Sequence, residues 1–343
     1  MGIKNLHSFL RKKDPNLYHK ITLDDLKEKK VAIDTSIYMC KFKNSFGNKW
    51  IKGFFDLICL FRKYSIVIIF ILDSKAPPEK DLEREHRLQM REKNRLRIYN
   101  IMQEWSEYLS SEDSVDSFPL IKKIYDRKRK MLESQNQPTV VDNHIIEKAI
   151  YRLQNNLVHI TGDDFELLKQ MLQIMGIPYQ YATSEAEGTC ALLNCLGIVD
   201  AVLTEDTDVL AYGAKVMLHN FSCKDNSLMQ ISLPNILETF CITFQQFKDF
   251  CIMCGTDYNH NIPKIGPMRA FDLIQKEKSL DEIATKVDIG CLNFERVRVL
   301  LDCYQNSTTL EYIECLHPNI LQLKNFCFYN NILYDVEQIN GLT

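Results

Sequence analysis

The chain has 343 residues, of which 45% are hydrophobic and 25% are charged, and its formal net charge is −3. A chain of this length can bury a substantial core, and its charge balance excludes a protein that is basic throughout. The twelve cysteines are scattered and no apolar signal-peptide run opens the chain, so we expect buried thiols in a reducing compartment. The longest apolar stretch, residues 66–72, is too short to span a bilayer.

Three apolar runs in the chain end on carboxylates. Residues 31–33 precede Asp34, residues 66–72 precede Asp73, and residues 201–203 lead to Asp206 and Asp208. Continuous runs of Val, Ile and Leu predict strands that are buried on both faces, as in a parallel sheet. Because ligands bind beyond the carboxyl ends of such strands, we expect these acids to meet at one edge of the sheet.

Helices are predicted around these strands. In chain order they cover residues 3–11, 50–64, 163–175 and 244–254, and a short strand is predicted at 177–179. Residues 74 to about 160 are charged and helix-prone, and polar stretches interrupt them. We interpret this region as an inserted helical segment over the crevice at the strand ends.

A cluster of acids requires neutralising cations. Two carboxylates about 4 Å apart repel each other by roughly 4 kcal/mol at an effective dielectric constant near 20. Several of them cannot all stay ionised without cations, and oxygen ligands without nearby His or Cys favour Mg²⁺ or Mn²⁺. Two such ions would activate a water and stabilise the leaving oxygen of a phosphodiester. The sequence therefore predicts metal-dependent phosphoryl chemistry.

Two acidic segments have alternative interpretations. Ser184 and Glu187 have the spacing of a capping box, which would explain Glu187 but not Glu185. Asp206 and Asp208 could be the Asp-x-Asp pair of an aspartyl-phosphate phosphatase, although Leu210 stands where that chemistry usually has Thr or Val. Together with the strand-end aspartates, both segments favour metal binding.

Positive charge is local, in blocks at residues 84–97 and 122–130. Such blocks suit a phosphate backbone, although a lone block is usually a solvated helix face. Lys80 and Arg87 would share one face of a helix, and their spacing alone favours ordinary surface charges over phosphate contacts. The turn at 262–270 either packs two helices or presents backbone N–H groups to a phosphate, and its basic residues favour the second.

Eight segments of the chain resemble the flap endonuclease family of structure-specific 5′ nucleases, in the family's order and across nearly the whole sequence. They are MGIKNL at 1–6, VAID at 31–34, ILD at 71–73, MGIPY at 175–179, SEAE at 184–187, TEDTD at 204–208, GTDY at 255–258 and IGPMRA at 265–270. The opening residues are also similar to versions of these enzymes carried by large DNA viruses.

The resemblance implies an α/β fold with a mostly parallel central sheet flanked by helices, which is a PIN-like 5′-nuclease core. A helical arch and a helix–two-turn–helix are implied as additions to that core. The corresponding regions are an N-terminal nuclease region at 1–105, the remainder of an arch at 106–142 that begins near residue 76, and an internal nuclease region at 143–343. The helix–two-turn–helix would cover 258–276.

The resemblance also implies a set of functional residues. Two Mg²⁺ ions, which Mn²⁺ can replace, would be held by seven acids: Asp34, Asp73, Glu185, Glu187, Asp206, Asp208 and Asp257. Lys80 and Arg87 would contact the scissile phosphate. The DNA contacts would come from Gly2, Lys264, Gly266 and Arg269. A K⁺ ion is possible at the helix–two-turn–helix, although Asn261 replaces the hydroxyl side chain that usually helps to bind it.

The expected activity is hydrolysis of phosphodiesters in branched DNA such as a 5′ flap, in replication, repair or recombination. The alternatives are a bubble- or four-way-junction-cutting enzyme, a 5′ exonuclease, or a non-catalytic junction-binding recombination factor. We expect a monomer that binds branched DNA and does not bind a membrane. We expect it in the nucleus or, for a viral protein, at a cytoplasmic replication site. Sliding-clamp binding is not predicted, because Asn325 interrupts the nearest candidate peptide, 322–329.

Overall fold

The computed structural model describes part of the chain, namely residues 2–135, 141–155, 157, 159–302 and 313–342. The chain forms two compact units. The first unit combines Met1–Met39, Ile51–Asp81 and Thr161–Thr343, and the second combines Cys40–Trp50 and Leu82–Ile160. The three regions implied by the family resemblance remain a prediction.

A seven-stranded sheet forms the centre of the first unit. Its strands are β1 (His19–Thr22), β2 (Lys30–Asp34), β3 (Val67–Leu72), β4 (Tyr179–Tyr181), β5 (Ala201–Leu203), β6 (Val216–Ser222) and β7 (Ser227–Ser232). Their order across the sheet is β1-β7-β6-β5-β2-β3-β4. The neighbours from β6 to β4 are all parallel, and β7 runs antiparallel to both β1 and β6. The predicted α/β fold with a mostly parallel sheet is confirmed.

The three strands with acidic ends are neighbours in the middle of this sheet. Asp34 at the end of β2 is paired with Ile71 of β3, and Ile33 is paired with Leu203 of β5. The side chains of β2 from Val31 to Asp34 and all of β5 are buried, as expected for strands covered on both faces. Because the strands are parallel, the residues that follow them leave the sheet at the same edge.

Helices surround the sheet of the first unit. They are α1 (Leu6–Lys13), α2 (Thr35–Phe46), α3 (Trp50–Lys63), α7 (Gly162–Ile174), α8 (Ala186–Cys195), α9 (Asp208–Ala211), α10 (Leu233–Phe240), α11 (Phe244–Cys254), α12 (Pro267–Glu277), α13 (Leu280–Ala284), α14 (Phe294–Asp302), α15 (Ile320–Tyr329) and α16 (Val336–Asn340). Residues 40–46, at the C-terminal end of α2, and Trp50, the first residue of α3, belong to the second unit. The predicted helices at 50–64, 163–175 and 244–254 are present within one or two residues of their expected bounds.

Apolar side chains from several helices form one core with the sheet. Phe9 and Phe271 contact each other, and both contact Phe240 and Phe250, with ring centroids 4.8–5.9 Å apart. Aromatic pairs at this spacing contribute about 0.5–1.5 kcal/mol each beyond the burial of their surface. This cluster joins α1 to α10, α11 and α12, so the N-terminal segment is fixed to the helices that follow the sheet.

The second unit is helical, as the charged segment predicted. Its helices are α4 (Asp81–Ser110, which begins at the last residue of the first unit), α5 (Pro119–Ser134) and α6 (Asn143–Asn155). Ile101, Ile121 and Ile146 are part of a small buried cluster within it. Glu104 of α4 accepts hydrogen bonds from the backbone N–H groups of Leu120 and Ile121 at 2.6 and 2.9 Å, which satisfies free donors in the first turn of α5.

None of the described helices combines the length and apolarity needed to cross a membrane. No disulfide joins any two cysteines in the described ranges. The expectation that the thiols are buried holds only in part, because Cys223, Cys241 and Cys291 are exposed.

Candidate active site

The aspartates at the ends of β2 and β5 are connected by hydrogen bonds through Thr204. The Thr204 hydroxyl donates to Asp34 Oδ2 at 2.8 Å and accepts from the Asp206 backbone N–H at 3.0 Å. The Asp208 N–H in turn donates to Asp206 Oδ1 at 3.0 Å. Asp34, Asp206 and Asp208 are all buried. In this part of the site, side-chain and backbone donors therefore fix the direction of the Asp34 and Asp206 carboxylates.

The glutamates lie at the start of α8, and the alternative interpretation of Ser184 and Glu187 as a capping box does not apply. The helix begins at Ala186, so its N-cap is Glu185 rather than Ser184, and the Ser184 hydroxyl donates to the carbonyl of Lys75 at 3.2 Å. The Ala186 N–H donates to Asp73 Oδ1 at 2.8 Å. Asp73, at the end of β3, thus supplies the carboxylate at this helix terminus, and Glu187 is not needed as a cap.

Lys80 lies inside the cluster of acids. It belongs to the short turn Pro78–Lys80 that precedes α4, and its side chain is only 12% exposed. Its ammonium group forms an ion pair with Glu185 and lies 3.0 Å from Asp257 Oδ2. The interpretation of Lys80 as a surface charge, which its spacing favoured, is therefore wrong.

Arg87 has a different environment, within α4. Its guanidinium donates to Glu83 Oε1, one turn earlier in the same helix, at 2.9 Å, and its side chain is 35% exposed. The contacts of Lys80 and Arg87 with a scissile phosphate remain predictions.

Burial and mutual repulsion raise the pKa of several carboxyl groups. Burial, followed by the charge of Asp73, raises the pKa of Asp34 to about 7. Burial and the charges of Asp34, Asp206 and Asp73 raise the pKa of Glu187 well above its ordinary value. Burial, then the charges of Asp206 and other acids, has the same effect on the pKa of Asp208. These shifts are typical of acids that are forced together.

The pKa of Lys80 is affected by the same cluster of acids. Burial alone would lower the pKa of its ammonium group, but Glu187, Glu185 and Asp257 outweigh that effect and raise the pKa. Each of the seven predicted metal ligands interacts electrostatically or by an ion pair with Lys80 or with another member of the set. The structure thus brings all seven acids together, from five separate stretches of the chain.

The chemistry of this cluster fits divalent metal ions. Asp208 Oδ1 is buried and has no hydrogen-bond partner within the described chain, which leaves a hard oxygen donor for a cation. Every member of the cluster is a carboxylate, the ligand that Mg²⁺ and Mn²⁺ prefer. Within the described ranges, no group of three or more Asp, Glu, His or Cys side chains has the arrangement of a ready-made metal site. The assignment of the seven acids as metal ligands therefore remains a prediction.

Gly2 lies directly beside the acidic loop after β5. Its φ of +82° is in the left-handed region, and a Cβ atom at this position would collide with Asp206 Oδ1 and lie 2.8 Å from the Asp208 nitrogen. The Lys4 N–H donates to the Gly255 carbonyl at 3.1 Å, which ties this segment to the loop that carries Asp257. Only glycine fits here, because both the backbone conformation and the available space exclude a side chain. A contact between Gly2 and DNA remains a prediction.

The range predicted for the helix–two-turn–helix, 258–276, covers the turn after α11 and most of α12, whereas α11 ends at Cys254, before that range. Gly266 is the N-cap of α12 and Lys264 has a φ of +64°. Lys264, Gly266 and Arg269 are exposed, whereas Ile262 is buried beneath the turn. The turn can therefore present two positive charges and backbone N–H groups to solvent, but its DNA contacts and a K⁺ ion remain predictions.

Sequence reasoning missed three residues of the site. Thr204 connects Asp34 to Asp206, and two tyrosines contact Glu185: the Tyr258 hydroxyl hydrogen-bonds to Glu185 Oε2 and to the Tyr212 hydroxyl. The available signals were weak. Tyr258 follows Asp257 directly, and Tyr212 lies one helical turn after Asp208, so both stand close to predicted ligands in the sequence.

Comparisons with known proteins show the family to which the chain belongs. The XPG N-terminal domain matches residues 1–94 and the XPG I-region matches residues 176–257, which together contain all seven acids. A probable RAD2-like endonuclease of Invertebrate iridescent virus 3 is 35% identical over 327 residues, covering 87% of this chain and 84% of that protein.

Two solved structures are similar in fold. The catalytic core of Rad2 in complex with a DNA substrate has a TM-score of 0.65 at 18% identity, with 100% of both chains covered. Flap endonuclease-1 from Methanococcus jannaschii has a TM-score of 0.60 at 21% identity, with 95% of both chains covered. The protein belongs to the RAD2-like, or flap endonuclease, family of structure-specific nucleases, as the resemblance of its segments predicted.

Proposed function

We propose that this nuclease cuts phosphodiesters in branched DNA, with 5′ flaps as the preferred class, and that it requires divalent metal ions. The observation that carries the proposal is the convergence of seven carboxylates on one edge of the sheet, around the buried ammonium group of Lys80. Bringing these carboxylates together is costly without cations. The divalent ions that a metal-dependent phosphodiesterase binds for catalysis would offset this repulsion.

The seven acids would hold two Mg²⁺ ions, which Mn²⁺ can replace. Such ions, when bound, supply an activated water and stabilise the leaving oxygen of the phosphodiester. The contribution of the protein is to fix the ligands. Thr204 and the backbone of the loop after β5 orient Asp34 and Asp206, and Asp73 is oriented by the first turn of α8.

The cations of the chain have a separate task. Lys80 already lies within the cluster, where its charge can meet a phosphate that approaches the metal ligands. The exposed Lys264 and Arg269, beside the N-terminus of α12, would bind the DNA backbone at a point distant from the scissile phosphodiester. Phosphate contacts of this kind position a duplex without reading its sequence, which suits an enzyme that recognises structure.

A non-catalytic junction-binding factor is the rival of a different class. For such a protein seven converging carboxylates, four of them buried, would only repel the phosphates of its ligand. The viral RAD2-like relative supports a setting in DNA replication, repair or recombination, in the nucleus or, for a viral protein, at a cytoplasmic replication site. The related enzymatic rivals are a bubble- or four-way-junction-cutting enzyme and a 5′ exonuclease.

The test is cleavage of end-labelled 5′-flap, nicked, bubble, four-way-junction and RNA substrates with Mg²⁺ or with EDTA. We expect the flap to be cut fastest, and only with metal. Asp208→Ala should lose at least about a thousandfold in rate while still binding flap DNA, because its loss removes a metal ligand but no DNA contact. The matched control is Asp200→Ala, a half-exposed aspartate paired with Lys29 at 3.4 Å, which should cut as the parent does. Full activity of Asp208→Ala, or equal cleavage in EDTA, would contradict the proposal.

A further inference from the structure

Glu185 is contacted on both of its carboxylate oxygens. Oε1 forms the ion pair with Lys80, and Oε2 accepts a hydrogen bond from the Tyr258 hydroxyl. The Tyr212 hydroxyl hydrogen-bonds to the Tyr258 hydroxyl and lies 3.5 Å from the same Oε2. Because the Glu185 side chain is buried, these contacts replace the water that would otherwise solvate it.

The direction of the hydrogen bonds follows from their chemistry. An ionised carboxylate can only accept, so Tyr258 donates its single hydroxyl proton to Glu185. The Tyr258 oxygen is then left to accept the proton of Tyr212. The result is a chain from Tyr212 to Tyr258 to Glu185, in which each bond polarises and strengthens the next.

Each phenol is also anchored beside another predicted metal ligand. The Tyr212 N–H donates to the Asp208 carbonyl at 3.0 Å, within the short helix that Asp208 begins. Tyr258 follows Asp257, and its N–H donates to the Thr256 hydroxyl at 3.1 Å. Two fixed segments thus converge on Glu185, so the position of this carboxylate depends on the loops that carry Asp208 and Asp257.

We propose that Tyr258 is a positioning residue that fixes the Glu185 carboxylate for a divalent cation, and that Tyr212 supports it through the hydrogen bond between the two hydroxyl groups. The inference rests on the proposed metal-dependent function. Groups that orient a metal ligand through a hydrogen bond typically change metal affinity by about 10- to 100-fold when they are removed. A phenylalanine in place of either tyrosine fills the same space and removes only the hydroxyl, so it isolates this effect.

The experiment measures Mn²⁺ binding without DNA, from the electron paramagnetic resonance signal of the free ion, in the parent and in Tyr258→Phe, Tyr212→Phe and the double variant. We expect Tyr258→Phe to raise the dissociation constant about tenfold or more. Tyr212→Phe should raise it less, and the double variant should bind about as weakly as Tyr258→Phe, because Tyr212 acts through Tyr258. Cleavage of a 5′ flap by Tyr258→Phe should recover at saturating Mg²⁺, with its kcat close to that of the parent.

The matched control is Tyr64→Phe, which removes a half-buried phenol that is hydrogen-bonded to the side chain of Asn226 at 3.1 Å. It should bind Mn²⁺ as the parent does, and circular dichroism would show that each variant is folded at the temperature used. Parent-like Mn²⁺ binding by both Tyr258→Phe and Tyr212→Phe would overturn the inference while leaving the proposed function intact. A folded parent that binds no Mn²⁺ would overturn the proposed function itself, and this inference with it.

Discussion

The ammonium group of Lys80 lies 3.0 Å from Asp257 Oδ2, and the same group is paired with Glu185. Two carboxylates and one ammonium group leave an excess of negative charge, to which Asp206, Asp208 and Glu187 add. Lys80 is therefore a built-in cation that offsets part of the repulsion within the site. A buried cation among acids matters most when it is removed, since its partners then remain desolvated and uncompensated.

Replacing Lys80 by methionine should destabilise the metal-free protein. We expect Lys80→Met to lower the free energy of unfolding in EDTA by about 3 kcal/mol, because the buried acids lose their nearest positive charge. Saturating Mg²⁺ should restore most of that loss, since the ions neutralise the same carboxylates. The measurement is urea unfolding with EDTA and with Mg²⁺.

The control for this prediction is Lys52→Met. Lys52 forms a partly exposed pair with Asp56 one helical turn away in α3, and such a pair contributes at most about 0.5 kcal/mol. The difference between the two variants isolates the burial of Lys80. Unfolding of Lys80→Met at the same urea concentration as the parent in EDTA would refute the role of the ammonium group.

Gly2 should tolerate no side chain. Gly2→Ala places a Cβ atom on Asp206 Oδ1 and forces a left-handed backbone, which costs about 1 kcal/mol for a residue other than glycine. We expect the displaced Asp206 to raise the Mg²⁺ concentration needed for half-maximal cleavage by about tenfold. A titration of cleavage rate with Mg²⁺ measures this shift.

Gly162→Ala is the matched substitution. Gly162 is the first residue of α7, and a Cβ atom there would meet no atom within 4 Å. The helix should gain a few tenths of a kcal/mol or be unchanged, roughly as alanine propensity predicts, and the Mg²⁺ titration should overlay that of the parent. A shift of equal size in both variants would show that Gly2 has no special relation to Asp206.

The central fold was predictable because its signals are local. Continuous apolar runs at residues 31–33, 66–72 and 201–203 predict buried parallel strands, and the rule that places ligands at their carboxyl ends then predicts which acids meet. The structure confirms both steps, with Asp34 paired with Ile71 and with Ile33 opposite Leu203. Glu185, Glu187 and Asp257 do not follow these runs, and the family resemblance was needed to add them to the set.

The missed details depend on residues that are far apart in the chain. Ser184 and Glu187 have capping-box spacing, but Asp73, 113 residues before Ala186, takes the N–H at the start of α8. Lys80 lies in a charged stretch whose pattern predicts exposed side chains. Its burial depends on the loop that carries Asp257, which lies beside it only in the folded chain. No local pattern contains these partners, so neither spacing nor propensity could find them.

Thr204 should matter through its hydroxyl group. Thr204→Val keeps the shape of the side chain but removes the donor to Asp34 and the acceptor for the Asp206 N–H. We expect a loss of about 1–3 kcal/mol in the free energy of unfolding, the usual cost of a buried polar group left without its partner. Mg²⁺ affinity should also fall, because two aspartates lose their common hydrogen-bond partner.

Thr204→Ser separates these two effects. Serine keeps the hydroxyl and loses one buried methyl group, which costs about 1 kcal/mol in stability. Its Mg²⁺ affinity, measured by isothermal titration calorimetry, should stay close to that of the parent. If valine and serine weakened Mg²⁺ binding equally, the hydroxyl would not be what orients Asp34.

His7 should make the protein less stable in acid, through a site away from the carboxylates. Its Nδ1 is hydrogen-bonded to the Tyr18 hydroxyl at 2.7 Å, and its ring lies 4.8 Å from that of His219. Burial, then the nearby charges of His219 and Arg11, lowers the pKa of His7 to about 4, against a smaller opposing effect of Glu205. The unfolded chain binds a proton at His7 near pH 6.5, whereas the folded chain resists it until about pH 4.

Because the unfolded state binds more protons between these two values, the contribution of His7 to stability is fully present above pH 6.5 and is lost as the pH falls towards 4. We expect the parent to lose about 2 kcal/mol more than His7→Gln between pH 7 and pH 4.5, after allowance for the partial exposure of the ring. Urea unfolding of both proteins at the two pH values measures this difference.

The raised pKa values in the acid cluster act in the opposite direction, since folded carboxyl groups there bind protons more readily than unfolded ones, but they are common to both proteins and cancel. An equal loss in the parent and in His7→Gln would mean that the folded state protonates His7 as easily as the unfolded chain does, and that the ring is not held neutral by its burial against Tyr18 and His219.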